Sequence, residues 1–84
     1  MTKFVEQFEL DVEYTDTFGG QANYSWVRRE TLSLPIGLSR RAIMRHAKAA
    51  MGLSGIRGRS QSNGDQWEFR PSGSCTVMFA TVRY

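Results

Sequence analysis

The stretch FVEQFELDVEYT, residues 4–15, decides the fold. Phe4, Phe8, Leu10, Val12 and Tyr14 share one parity, and Glu9, Asp11, Glu13 and Thr15 share the other. Successive side chains of a strand point to opposite sides, so a period of two over this length means a half-buried strand. One face meets a core and the other meets water. Glu6 is the lone acid on the apolar parity, near the fraying start. A sheet with one dry face follows, and another apolar element must cover that face.

Residues 15–23, TDTFGGQAN, read as a loop, because Gly19-Gly20 permits positive φ and Asp16 and Asn23 are turn formers. Residues 24–34, YSWVRRETLSL, read as a second strand paired with the first as a hairpin. Tyr24, Trp26, Leu32 and Leu34 share a parity, but Arg28 and Glu30 lie between them. Either the strand runs past the edge of the core there, or a bulge shifts its phase. Pro35 and Gly37 end the strand. Ser39 is the expected N-cap of a helix over about 40–51, with Gly52 at C′ and Leu53 supplying the apolar contact after it. Helical spacing gathers Ile43, Ala47, Ala50 and Met51 into one buried stripe and sets Arg41, Arg45 and Lys48 on the opposite face.

Three further strands are expected. Residues 56–62 lead into the hairpin signal Asn63-Gly64. Residues 65–70 return with Trp67 and Phe69 on one face, and Pro71-Ser-Gly-Ser makes the next turn. Residues 75–84 are apolar on both parities in the middle, as a central strand is. The expected fold is one α+β domain over residues 1–84: an antiparallel β-sheet of about five strands, order β-β-α-β-β-β, with one helix packed on one face. The first strand or the C-terminal strand would be an open edge, which makes a dimer possible.

Eighty-four residues suffice for one small core, to which five Phe, three Tyr and two Trp contribute. The opening MTKFVEQFEL lacks the apolar h-region of a secretory leader, and no apolar run approaches the ~20 residues that span a membrane. A single cysteine, Cys75, excludes an intramolecular disulfide and suits a reducing cytosol. These readings predict a cytoplasmic protein without a membrane partner.

Catalytic groups are few. His46, the only histidine, lies on the flank of the helical stripe, where a packed or half-exposed side chain is the ordinary reading. Cys75 opens an apolar strand and reads as a small buried side chain, with no His or acid nearby in sequence to activate it. One Cys and one His do not make a conventional zinc site. Gly19-Gly20 leads to a strand and not to a helix N-terminus, so it is no phosphate loop. The expectation is a non-enzyme with no metal and no cofactor.

Charge is sorted along the chain. Residues 1–16 hold five acids and one base, whereas residues 17–84 hold ten bases, nine of them Arg, and three acids. Arg40 and Arg41 occupy the first helical turn, where positive charge opposes the helix dipole at about 0.3–1 kcal/mol each. Together with Arg45 and Lys48 they form either a phosphate- or carboxylate-binding surface or a solvated helix face. Arg28, Arg29, Arg57 and Arg59 extend the basic side, and Arg57 and Arg59 would point the same way on a strand. Tyr24 and Trp26 precede Arg28-Arg29, and Trp67 and Phe69 precede Arg70; a small domain needs such aromatics in its core more than on a nucleic-acid platform. Glu9, Asp11 and Glu13 project from one side of the first strand at about 6.6–6.8 Å intervals. That spacing would mimic successive phosphates, or would serve a solvated face that protects an edge strand.

YTDTFGGQANYSWVRR at 14–29, the segment Gly52–Arg59 and RPSGSCTV at 70–77 resemble a group of small proteins encoded by phages and prophages, and the likeness spans most of the chain. Such proteins resemble inhibitors of host defence, including the anti-CRISPR class. The resemblance implies a cytoplasmic protein of the host bacterial cell. It would bind a Cas effector or surveillance complex stoichiometrically and block nucleic-acid binding or cleavage without catalysis. That class has no common motif, so no residue role follows from it. The alternative reading is a small DNA- or RNA-binding accessory protein using its arginines on phosphates.

Overall fold

The alternation of the first strand is realised: Leu10 and Val12 are fully buried, and Glu9, Asp11 and Glu13 emerge on the other side. The computed structural model describes residues 6–83. Along the chain run β1 (Gln7–Phe18), β2 (Gln21–Pro35), α1 (Arg40–Ala50), β3 (Gly58–Asn63), β4 (Gln66–Pro71) and β5 (Thr76–Arg83). They form one antiparallel five-stranded sheet in the spatial order β2-β1-β5-β4-β3. β5 is the central strand, as its apolar middle requires. Phe4, Val5 and Tyr84, placed in strands by the sequence reading, lie outside the described residues.

Register unites the dry face. Leu10 pairs with Leu32 and Val82, Val12 with Ala80, Tyr14 with Met78, and Met78 with Phe69. Directly opposed residues share a face, so one layer of side chains runs from β2 to β4. Ile43 and Ala47 of α1, with Met51 at its C-cap, close over it, and Leu34, Leu53, Trp67 and Phe69 complete the core. Ala50, expected in the stripe, is only half-buried. The helix begins where Ser39 Oγ accepts the Ala42 N–H at 3.2 Å. It ends in paired reverse bonds, Leu53 N–H to Lys48 C=O at 2.8 Å and Gly52 N–H to Ala49 C=O at 3.2 Å. Gly52 has φ 72°, which lets it reverse the chain there.

Several expectations need correction. The loop over 15–23 contracts to the pair Gly19-Gly20, with φ 61° and 83°. Two positive φ values in a two-residue connection match the twist of the flanking strands, so pairing continues through Thr17–Ala22 and Phe18–Gln21. Of the two explanations for the broken parity of β2, the first applies at Arg28 and Glu30, since the register runs unbroken from Val27 to Pro35. Arg28 and Glu30 stand opposite Tyr14 and Val12 but are exposed, because the strand runs past the helix. A bulge also shifts the register between Thr15 and Thr17, and Tyr24 there adopts φ 57°. The turn after β3 centres on Gly64-Asp65 and not on Asn63-Gly64. Positive φ falls only on the first central residue, Gly64, as a type II′ turn requires. The sheet edges are β2 and β3; β1 and β5 are interior. Cys75 is exposed, since it ends the turn before β5 and burial begins at Val77.

Gly58, at the start of β3, has no room for a side chain. A Cβ there would collide with the Arg70 carbonyl and press on the Phe69 ring. Gly58→Ala is therefore expected to lower stability by about 1–3 kcal/mol, the range of overpacking in a tight site. Chemical denaturation of the two proteins checks this, and an unchanged midpoint would contradict the packing assigned to β3 and β4.

Candidate functional site

The acids on the face of β1 are all paired with arginines. Glu13 pairs with Arg29 at 2.8 Å and accepts the Tyr24 hydroxyl at 2.7 Å. Asp11 receives Arg83 in a two-pronged contact, Nε to Oδ2 at 2.9 Å and Nη2 to Oδ1 at 2.8 Å, and the Thr31 hydroxyl at 2.8 Å. Arg83 also reaches Glu9 at 3.2 Å. Register produces all of this, because Glu13 lies opposite Arg29, Asp11 opposite Thr31, and Glu9 opposite Arg83. The Arg83 hydrogen bonds, then that of Thr31, hold the Asp11 carboxyl below its ordinary range, and Asp11 in turn raises Arg83. The Glu13 contact raises the Tyr24 phenol.

Asp16 organises the hairpin end next to the bulge. It accepts the Ser25 N–H at 2.9 Å, the Asn23 amide at 3.0 Å and the Ser25 hydroxyl. The hydrogen bonds from Ser25, then from Asn23, hold its carboxyl far below the usual range. Thr15, fully buried, accepts the Tyr24 N–H at 3.1 Å and donates to the Trp26 carbonyl at 2.8 Å. These bonds hold Tyr24 in its left-handed conformation.

The basic residues divide among three places. Arg28 and Arg29 lie on the β2 edge, Arg28 on the helix side and Arg29 on the open side. Trp26, beside them, meets Tyr14 edge-on with ring centroids 5.2 Å apart. Arg57 precedes β3, where its carbonyl accepts the Ser72 N–H at 2.9 Å. Arg59 faces Arg70 across β3 and β4. The two edge strands are separated by four strand spacings, roughly 19 Å, so these arginines do not form one patch.

Arg40, Arg41, Arg45 and Lys48 do come together. They form one wall of a groove of 760 Å³ between α1 and β3. The opposite wall is Ser60, Gln61 and Ser62, and Met44 and Trp67 also line the groove. No acid lines it. Lys48 is partly committed: its Nζ donates to the Ile56 carbonyl at 2.8 Å and stands 4.3 Å from the centroid of the Phe69 ring. Arg40, Arg41 and Arg45 have no carboxylate partner among the described residues. Trp67 Nε1 is buried with no hydrogen-bond partner among them either. The groove thus presents unneutralised guanidinium groups opposite small hydroxyl side chains, a setting for an anionic ligand.

Trp67 and Phe69 are core residues, while Tyr24 and Trp26 are exposed. His46 is exposed as well. The sequence reading missed the serine wall, whose signal was present in GRSQSN: a strand with no apolar residue, set beside a basic helix. No cluster that could hold a metal ion occurs among the described residues, and none of their helices is long and apolar enough to cross a membrane. No family model, curated protein or solved structure shows a significant match to the chain.

The depressed carboxyls fix a pH dependence. Above about pH 4, the ordinary range of Asp, both Asp11 and Asp16 are ionised in the folded and unfolded chain, and their stabilisation is fully present. Below it the unfolded chain takes up protons first, so stability drains as pH falls towards the folded values. The melting temperature of wild type is expected to drop steeply below about pH 4, and that of Asp16→Asn to drop less. Identical acid limbs for the two proteins would remove Asp16 from this account.

Proposed function

We propose that the protein is a phage-type inhibitor of bacterial defence that acts by stoichiometric binding. Its basic groove occupies an anionic part of a Cas effector or surveillance complex and blocks nucleic-acid binding or cleavage. The observation that supports this is the acid-free groove in which Arg40, Arg41 and Arg45 stand unpaired among the described residues. Charges that serve only folding are ordinarily distributed among opposite charges, as they are on the face of β1. The mimicry role of Glu9, Asp11 and Glu13 loses support, because each is already paired with Arg29 or Arg83. The reading requires no catalytic group and places the protein in the cytoplasm of the bacterial host.

A second reading has support from the same arginines: direct contact with DNA or RNA phosphates. Trp67 offers no stacking surface for bases, since it is buried, so such contact would fall on the phosphates.

The inhibitor reading is tested by phage plating on bacteria with active CRISPR immunity. Expression of the wild-type chain is expected to restore plating of a targeted phage, and Arg41→Glu with Arg45→Glu to abolish the restoration. Neutralising the other face, with Asp11→Asn and Glu13→Gln, is expected to leave restoration in place at a temperature where the variant is folded. Unchanged immunity across the common CRISPR types would overturn the reading. A gel shift that weakens steeply between about 50 mM and about 200 mM salt would favour direct nucleic-acid binding instead.

A further inference from the structure

The edge strand β3 and the groove beside it form one surface. In the β3–β4 hairpin, Asn63 and Gln66 close a two-residue turn, and Ser72 N–H bonds the Arg57 carbonyl. Antiparallel pairs alternate between bonded and non-bonded positions, so Arg57, Arg59, Gln61 and Asn63 direct their backbone groups to β4. Gly58, Ser60 and Ser62 then direct theirs outward. Pro71, which has no N–H, stands opposite Gly58, as a non-bonded position allows. Among the described residues β3 pairs with β4 alone, so the outward backbone groups of Ser60 and Ser62 meet no second strand. All six residues of β3 are exposed, and no proline guards the edge.

We infer that β3 receives an extended acidic segment of a partner protein as a sixth strand, with carboxylates at alternate positions directed at Arg40, Arg41 and Arg45. The inference rests on the reading above only in taking the groove as the contact surface. Three observations select this occupant. The edge offers donors and acceptors in alternation; an extended peptide satisfies both, whereas phosphates satisfy the donors alone. Ser60 and Ser62 face the helix side of the sheet and are small, which leaves space above the added strand. Residues directly opposite them in that strand share the helix side and recur every second position, under the arginine wall. A second copy of this chain is disfavoured, because pairing β3 with β3 would bring two unneutralised arginine walls together.

The probe is a displayed library of randomised nine-residue peptides, selected on the full chain. Enriched sequences are expected to carry Asp or Glu at alternate positions with no proline between them. A synthetic peptide of the enriched sequence is expected to bind one to one, and at least about tenfold more weakly to Arg41→Glu/Arg45→Glu and to Ser60→Pro. Proline at position 60 removes only an outward N–H, and edge strands tolerate it there. Should Ser60→Pro melt far below wild type, methylating alternate backbone nitrogens of the peptide provides the same test, and binding must be lost. No enrichment, enrichment without the acidic alternation, or binding undiminished by Ser60→Pro and by methylation overturns the inference. So does self-association of the chain through β3, or binding of an oligothymidine that no peptide displaces. Restored phage plating without any selected peptide removes the added strand and leaves the inhibitor reading. Alternating acidic peptides with unchanged plating do the reverse.

Discussion

The alternation of β1 sets the rest of the structure. β1 is paired on both sides, and over residues 8–14 its even residues turn to the core while Glu9, Asp11 and Glu13 turn away from it. A slip of one residue would bury Glu9, Asp11 and Glu13 under the helix and expose Leu10 and Val12, which no sheet with a dry face survives. That parity reaches β2 and β5 through the register, and β4 through β5. It therefore also decides which arginines meet the acids. Arg29 and Arg83 arrive opposite Glu13 and Glu9 because Leu32 and Val82 must arrive opposite Leu10.

The consequence for charge is asymmetric. Exposed ion pairs contribute little individually, but the pairs on the face of β1 cancel its field at close range. The arginines of α1 have no such neighbours. Counterions screen them in solution, and an anionic ligand would displace those counterions. The sorting of acids and bases along the chain thus becomes a different sorting in space. On one sheet face the acids are paired with arginines, and one groove is positive because no acid among the described residues lines it.

The sequence carried the architecture well where a local signal was strong. Ser39 and Gly52 marked the helix ends, and the two-sided apolar run of residues 75–84 marked the central strand. Neighbour relations were less legible. Which strands become edges depends on how β5 inserts between β1 and β4, and this is a long-range pairing that no local spacing encodes. The same limit explains why the acids of β1 read as free charges: their partners Arg29 and Arg83 lie 16 and 72 residues from Glu13 and Asp11. Cys75 misled because composition assigned it to a strand whose burial starts two residues later. The groove was half legible. Its arginines stood out against the helix dipole, but its serine wall emerges only when β3 is placed beside α1.

Unused stabilisation collects at that groove. Arg40 and Arg41 sit in a first turn that contains no acid, although acids there are the stabilising choice. Trp67 Nε1 is buried without a partner among the described residues, an arrangement that costs about 1–3 kcal/mol where nothing offsets it. The outward backbone groups of Ser60 and Ser62 complete no ladder. Polar side chains elsewhere are satisfied closely: Asp16 bonds Ser25 and Asn23, and Thr15 secures the bulge. The β2 edge also carries Pro35 at its end and an ion pair on its open side. Sequences that fold consistently at every other level concentrate their exceptions where a partner has to bind. Two exceptions, of charge and of a buried donor, border one groove beside an open strand edge. A merely solvated helix face would account for the first and not for the buried donor.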